Sequence, residues 1–333
     1  MHIHHGRRSL TGVVAVAAGL CVVATLGAQL GPDEHRGAAG DAAQLRYVTV
    51  NGVRLAYRVE GAGVPVIFVH GEGYSHELWT RQIEPFARKY EVIAYDRRGH
   101  GQSEAPFTGY SPIANAEDLN GLMNFFGIRD AHFVVNSRGG EVISQFLRLR
   151  PQKVRSIVFA DAALALTELT PVFRAIIDKR NNDPLPTLEQ AVTARDGAKT
   201  SSFTRVAQSR PDTREVLNRM VDQYSPRVAM NPQRSDNTSA MDIGPWNVRD
   251  FPDMKTLSQP MLLVVGELTD ALFINAAKEA HRLWPNTRYE MIRGADHLLV
   301  LEAPDVFNKL ALDFLADVDA TIAGRNKWVS QVP

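Results

Sequence analysis

One stretch of this chain constrains the fold more than any other: an apolar run, a turn with a serine at its tip, a glycine pair and a helix-like segment. Residues 133–135 are Phe-Val-Val, which is the composition of a short buried strand. Residues 136–138 are Asn-Ser-Arg, and residues 139–140 are both glycine. Apolar side chains then recur at helical spacing over residues 141–150, and a proline follows. The sequence therefore predicts a strand, a sharp turn at Ser137 and a helix.

This layout is that of a nucleophile elbow, in which a turn lifts a serine clear of a sheet. A serine hydroxyl is a weak nucleophile, so it has to stand where a base can reach it. The helix behind the turn directs backbone N–H groups and its positive dipole end at a developing oxyanion. Val135 departs from the usual pattern, G-x-S-x-G. The motif alone therefore leaves open a second interpretation, in which Ser137 only caps the helix.

Composition excludes several classes of function. Lys plus Arg and Asp plus Glu are balanced at 37 each among the 333 residues, and no basic stripe is visible, so nucleic acid is not an expected partner. The one cysteine, Cys21, lies near the amino terminus, so the globular part can hold neither an internal disulfide nor a cysteine-based metal site. We expect no metal and no cofactor.

The amino-terminal segment has the features of an export signal. Arg7 and Arg8 precede an uncharged run over residues 9–31 that is rich in Val, Ala, Leu and Gly. We therefore predict that residues 1–31 direct export to the periplasm or the medium. The run is also near the ~20 residues that span a bilayer, so an uncleaved signal that anchors the protein in a membrane is the alternative. Residues 32–44 are polar and rich in Ala and Gly, which predicts a flexible linker.

Strand-like and helix-like segments alternate through most of the remaining chain. This rhythm predicts an α/β fold with a mostly parallel, doubly wound sheet, whose first part is residues 45–161 and whose second part is residues 257–320. The rhythm breaks over residues 162–256, which are polar and helix-like. Residues 321–333 are assigned to a carboxy-terminal tail. A helical pattern follows Ser75 and extends to about residue 89.

Four motifs, taken in order, resemble those of the α/β-hydrolase fold superfamily. They are His-Gly at residues 70–71, Asp-Arg-Arg-Gly-His-Gly-Gln-Ser at residues 96–103, Asn-Ser-Arg-Gly-Gly at residues 136–140 and Gly-Ala-Asp-His at residues 294–297. The resemblance covers about residues 46–316. It implies an α/β-hydrolase fold in which the stretch over residues 162–256 is an inserted helical lid.

The resemblance also implies roles for individual residues. Ser137 would be the nucleophile and His297 the general base, and the backbone N–H groups of Glu72 and Arg138 would form the oxyanion hole. His70 would hold the backbone of that loop without exchanging protons. A carboxylate beside an oxyanion is unfavourable, so the Glu72 side chain either turns away or contacts Arg138 or a basic part of the substrate.

Two residues, Asp161 and Asp270, are candidates for the acid of the triad. The family places this carboxylate after either of two strands, and both candidates lie between Ser137 and His297 in the chain. At the later place the usual pattern is G-x-x-D, but Thr269 stands where the Asp should be and Asp270 comes one residue late, at a helix start that explains it as a cap. Asp161 follows an apolar strand directly, where a carboxylate needs a partner. We favour Asp161.

The predicted function is a serine hydrolase that cleaves an ester or lactone of a small to medium apolar substrate through an acyl-enzyme. The alternatives are a carbon–carbon bond hydrolase and a hydrolase-like protein that binds a ligand with little turnover. Apolar side chains of the predicted lid are candidates to line the substrate pocket, although packing within the lid explains any one of them. They are Leu164, Leu166, Val172, Phe173, Ile176, Phe203, Val206, Met220, Met230, Met241 and Trp246.

Overall fold

The computed structural model describes residues 44–164, 184–230 and 258–329, with side chains as far as residue 324. The predicted export signal, most of the linker and Cys21 lie outside the described residues. So do parts of the predicted lid, including six of the candidate pocket residues: Leu166, Val172, Phe173, Ile176, Met241 and Trp246.

The described chain is built on one eight-stranded sheet, whose strand order is β1-β2-β4-β3-β5-β6-β7-β8. The strands are β1 (Arg46–Val50), β2 (Val53–Glu60), β3 (Val64–Val69), β4 (Tyr90–Tyr95), β5 (Ala131–Ser137), β6 (Val154–Ala162), β7 (Met261–Gly266) and β8 (Thr287–Ile292). β2 pairs antiparallel with β1 and β4, and all other pairs are parallel. Asn51 and Gly52, with φ of 50° and 74°, make the tight turn between β1 and β2. The predicted α/β fold is confirmed.

The helices are α1 (Ile83–Ala87), α2 (Pro112–Phe125), α3 (Gly139–Leu149), α4 (Leu188–Gly197), α5 (Arg205–Gln208), α6 (Pro211–Asp222), α7 (Pro226–Met230), α8 (Ala271–Leu283), α9 (Leu299–Glu302) and α10 (Pro304–Val329). Helices α4 to α7 form a helical insertion between β6 and β7. The last helix continues past residue 320, so the predicted carboxy-terminal tail begins as the end of α10.

The helical pattern predicted after Ser75, to about residue 89, corresponds to two short segments instead of one helix. A short 3₁₀ turn, His76–Trp79, comes first, and α1 starts only at Ile83. Pro85 accounts for the break, because proline has no N–H to donate and its ring clashes with the preceding turn unless it lies near the start of a helix. The chain therefore has to begin a new helix just before it.

Apolar side chains fill both faces of the sheet. On one face the core includes residues of α2, α3 and α8, and on the other it includes residues of α1, α9 and α10 together with α6 of the insertion. Strands β3 and β5 lie in the middle and are largely buried on both sides, as expected for parallel strands covered on both faces. The carboxyl ends of the parallel strands meet at one edge of the sheet, which is where such folds bind ligands.

A buried polar group lies at the opposite edge, near the amino ends of the strands. His132 of β5 and Ser156 of β6 are both fully buried. The His132 Nδ1 atom lies 2.7 Å from the Ser156 Oγ atom, and its Nε2 atom lies 3.2 Å from an Asp319 oxygen on α10. Burial lowers the pKa of His132, which favours the neutral ring. This group ties β5 and β6 to the last helix.

Candidate active site

Ser137 occupies a strained backbone position at the carboxyl end of β5. Its φ is 49°, in the left-handed region that residues other than glycine seldom adopt. The preceding residues of β5 are buried, whereas Ser137 is partly exposed, and α3 starts two residues later. The strand, turn and helix predicted around Ser137 are therefore present. The Asn136 side chain donates hydrogen bonds to the carbonyls of Ala160, at 2.8 Å, and of His297, at 3.3 Å.

The departure from G-x-S-x-G does not obstruct this turn. Val135 is fully buried in the apolar core and pairs with Val69 and Phe159 on the neighbouring strands. The helix instead comes close to the neighbouring backbone at the two glycines after the serine. A Cβ atom at Gly139 would overlap the carbonyl oxygen of Val69, and one at Gly140 would overlap backbone atoms of Ala163. These two positions therefore require glycine.

Replacing Gly140 by Ala is expected to lower the free energy of unfolding by about 1–3 kcal/mol, because α3 has to move away from β6 to admit a methyl group. Gly197→Ala is the matched control. A Cβ atom there would meet nothing within 4 Å, so alanine should be neutral or stabilise by up to ~1 kcal/mol. Urea unfolding of both variants and the parent protein measures the effect. Equal stability of all three would contradict the close approach of helix and strand.

Asp161 and His297 are in direct contact at the same edge of the sheet as Ser137. His297 lies in the loop between β8 and α9, and its Nδ1 atom is 2.5 Å from an Asp161 carboxylate oxygen. Both side chains are buried. Asp161 has a φ of 48°, and the pairing of β5 with β6 shifts register at the end of β5. Residues near the ends of two adjacent strands, Ser137 and Asp161, thus both have left-handed backbones.

Thr269 and Asp270 do not make the contacts that a G-x-x-D pattern would predict for them. The Thr269 hydroxyl donates to the Asp161 oxygen that contacts His297, at 2.6 Å, and the Gly266 N–H donates to the other oxygen, at 3.4 Å. Asp270 is exposed and caps α8, because its side chain accepts a hydrogen bond from the N–H of Leu272 at 2.8 Å. The structure therefore brings Asp161 to the histidine and keeps Asp270 away. Thr269 was not identified as a site residue from the sequence.

The loop after β3 is fixed by hydrogen bonds from the side chains of His70 and Arg97 to the Gly71 carbonyl. The Arg97 backbone N–H donates to His70 Nε2 at 3.0 Å, so the ring proton is on Nδ1, which donates to the Gly71 carbonyl at 2.8 Å. Burial and the Arg97 charge keep the pKa of His70 well below its usual value. The Arg97 guanidinium also donates to the Gly71 carbonyl, at 2.9 Å.

The direction of the Glu72 N–H follows from these bonds. The C=O and N–H groups of a trans peptide point in opposite directions, so anchoring the Gly71 carbonyl turns the Glu72 N–H the other way. A Cβ atom at Gly71 would overlap the Cβ atom of Ser137, so this loop runs directly against the serine.

The Glu72 side chain contacts arginines and the helical insertion. One Glu72 oxygen lies 3.4 Å from Arg138 Nη1 and 3.9 Å from Arg97 Nη2, and the other accepts a hydrogen bond from the Tyr224 hydroxyl. Arg138 also makes two hydrogen bonds to Glu141, at 2.8 and 2.9 Å. Of the alternatives considered from the sequence, the structure shows the contact with Arg138.

Two aromatic rings pack beside His297. The ring centroid of Phe203, in the insertion, lies 5.1 Å from that of His297, and the centroid of Phe273, on α8, lies 4.7 Å from it. Phe203 is 38% exposed, so it borders open space. Of the other candidate pocket residues, Leu164 and Met220 are buried in the two cores. Phe203 is one of the candidate pocket residues named from the sequence, and Phe273 is not.

The α/β-hydrolase-fold family matches residues 64–304. The chain belongs to this family. A non-heme chloroperoxidase of Kitasatospora aureofaciens is 28% identical over 283 residues, which cover 80% of this chain and 98% of that protein. The structure of Est816, described as an N-acyl homoserine lactone degrading enzyme, is 27% identical with a TM-score of 0.63 and covers 81% of this chain and 100% of that one. The epoxide hydrolase CorEH has a TM-score of 0.69 at 20% identity, over 83% of this chain and 99% of its own, and this likeness shows the fold alone.

Two negative findings apply to the described part of this α/β-hydrolase-fold protein. Over residues 44–164, 184–230 and 258–324, no group of three or more His, Cys, Asp or Glu side chains is arranged to hold a metal ion. In the same ranges, none of the helices has the length and apolar character needed to cross a membrane.

Proposed function

We propose that this protein is a serine hydrolase that cleaves an ester or lactone bond, with Ser137, His297 and Asp161 as its catalytic residues. The contact between the Asp161 carboxylate and His297 Nδ1 is the observation that carries the proposal. It lies at the edge of the sheet where Ser137 occupies a strained, partly exposed turn. When a serine lies within reach of a histidine that a buried carboxylate holds in place, its hydroxyl is activated for attack on an acyl carbon.

The hydrogen bonds of Asp161 set the tautomer of the histidine. Asp161 accepts bonds from the Thr269 hydroxyl and the Gly266 N–H, which is the behaviour of a carboxylate, so the proton in its contact with His297 is on Nδ1. The His297 Nε2 atom then has a free lone pair to take the Ser137 proton. An Asp at position 161 thus holds the ring in the form that acts as a base.

The reaction follows from these roles. Ser137 Oγ bonds to the acyl carbon as its proton passes to His297 Nε2, and the N–H groups of Glu72 and Arg138 hold the resulting oxyanion. His297 then gives that proton to the departing alkoxide oxygen, which leaves Ser137 acylated. Water attacks the acyl-enzyme with the same histidine as base, and release of the acid restores the serine.

The chemistry of the nucleophile favours acyl substrates over epoxides. If Ser137 opened an epoxide, the product would be an ether, which acyl chemistry cannot hydrolyse, whereas attack on an ester gives an ester that water can cleave. A lactone is an ester closed into a ring, and Est816 is described as degrading such a compound. Phe203 and Phe273 beside His297 provide an apolar wall suited to the acyl chain. We propose that the helical insertion is a lid that selects this chain.

The proposal is tested by a fluorophosphonate probe and a substrate series. The wild-type protein should be labelled at Ser137, and Ser137→Ala should not be. A series of p-nitrophenyl esters and N-acyl homoserine lactones of increasing acyl length then locates the substrate class. A protein that binds these compounds but is neither labelled nor active would be the ligand-binding alternative.

Replacing Thr269 by Val is expected to lower kcat by about tenfold, because a hydrogen bond to a charged group is worth ~1.5 kcal/mol and Asp161 loses one. Thr269→Ser keeps the hydroxyl and should retain most of the activity. Kinetics on one ester, with a thermal melt of each variant, provide the measurement. If Thr269→Val and Thr269→Ser behave alike, the hydroxyl has no part in holding Asp161.

A further inference from the structure

We infer that Glu72 is a positioning residue whose side chain fastens the two donors of the oxyanion hole to each other and to the helical insertion. The inference rests on the proposed function, since it assigns the oxyanion hole to the N–H groups of Glu72 and Arg138. It concerns the side chains of these same two residues, which the reaction itself does not use.

The first step is the contact between the two donor residues. The Glu72 carboxylate lies 3.4 Å from Arg138 Nη1, so the loop after β3 and the turn after β5 are joined by an ion pair. The two side chains are only 23% and 16% exposed, so water screens their attraction less than at an open surface. The distance between the backbone N–H groups of these residues is therefore restrained by their own side chains.

The second step is that the pair is anchored on both sides. Glu141, in the first turn of α3, holds the Arg138 guanidinium through two hydrogen bonds. Arg97, which fixes the Gly71 carbonyl, is 3.9 Å from the Glu72 carboxylate. Two carboxylates and two guanidinium groups thus face one another, which balances the charge that a lone glutamate would place near an oxyanion.

The third step is the link to the insertion. Tyr224 lies between α6 and α7, is buried, and donates its hydroxyl to the second Glu72 oxygen. Its ring packs on His100 at a centroid distance of 4.8 Å, and the next residue, Ser225, donates its N–H to the Gly99 carbonyl at 3.1 Å. The insertion is therefore attached to the core at this point, and a shift of Tyr224 would change its hydrogen bond to Glu72.

The experiment compares Glu72→Gln and Tyr224→Phe with Tyr110→Phe. Tyr110 belongs to the same small buried cluster as Tyr224, but its hydroxyl donates to the Pro106 carbonyl, so its loss removes a similar bond without touching Glu72. For a neutral ester we expect Glu72→Gln to lower kcat by about 10- to 100-fold with little change in KM. Tyr224→Phe should lower kcat less, and Tyr110→Phe should leave it unchanged. The rate of fluorophosphonate labelling of Ser137 should fall in the same order.

Other outcomes overturn the inference. Wild-type kcat and labelling rate in Glu72→Gln would show that the side chain does not position the hole. A rise in KM confined to cationic esters such as choline esters would make Glu72 a substrate-binding residue instead. If Glu72→Gln does not fold, Tyr224→Phe is the deciding variant. Equal kcat in Tyr224→Phe and Tyr110→Phe would then refute the role of the contact between Tyr224 and Glu72. Failure to label the wild-type protein overturns the proposed function and this inference with it.

Discussion

Replacing Ser137 by Ala, or His297 by Ala, is expected to lower kcat by about 10⁶-fold while the protein stays folded, because either change removes a group that bonds or exchanges a proton with the acyl substrate. The two side chains act as a unit, so the double variant should be little slower than either single one. Kinetics on the best ester or lactone of the series measure the loss, and circular dichroism with a thermal melt checks folding.

Ser156→Ala is a matched control for the serine. Ser156 also contacts a histidine, His132, but at the other edge of the sheet, so its loss should leave kcat unchanged per folded molecule. His281→Ala serves for the histidine, because His281 is exposed and its Nδ1 atom contacts Thr287 instead of a carboxylate. Activity near the wild-type level in Ser137→Ala or His297→Ala would refute the proposed mechanism.

Replacing Asp161 by Asn is expected to lower kcat by about 10⁴-fold. An amide NH₂ group in place of the oxygen can donate to His297 Nδ1, which moves the ring proton to Nε2 and removes the lone pair that should accept from Ser137. The residual rate comes from the oxyanion hole and substrate binding. The pH profile of kcat/KM and the thermal melt should be recorded for the same preparation.

Asp270→Asn provides the comparison in the same assay. Asp270 caps α8, and asparagine caps a helix almost as well, so both kcat and stability should stay close to the wild-type values. If Asp270→Asn loses most of its kcat while Asp161→Asn keeps it, the triad acid has been assigned to the wrong strand.

Much of the fold could be predicted because the signals are local. The apolar run of β5, the sharp turn at Ser137 and the helix after it each depend on a few adjacent residues, and each is where the sequence placed it. The helical pattern after Ser75 is divided into two segments because Pro85 has to lie near the start of a helix, a constraint that apolar spacing does not reveal.

The residues of the candidate site likewise differ in whether a local sequence signal indicates them. The sequence pointed to Ser137 and His297 because each lies in a short motif. The position of Thr269 in the G-x-x-D pattern counted only against Asp270, although it also indicated the place of the hydroxyl that contacts Asp161. The choice between Asp161 and Asp270 stayed open because it depends on a contact between residues 136 positions apart in the chain. The contact of Glu72 with Tyr224, 152 positions away, had no local signal at all.

The buried group at the amino ends of the strands shows that a serine, a histidine and an aspartate in contact do not by themselves make a catalyst. Ser156, His132 and Asp319 are joined by hydrogen bonds, but the serine is on Nδ1 of the ring and the aspartate on Nε2, the reverse of the proposed triad. Ser156 also lies within a strand and is fully buried, so no acyl group can reach it. A search for catalytic sites that uses only these three types of side chain would also retrieve this buried group. Adding the backbone angle and the accessibility of the serine to the search criteria would exclude it.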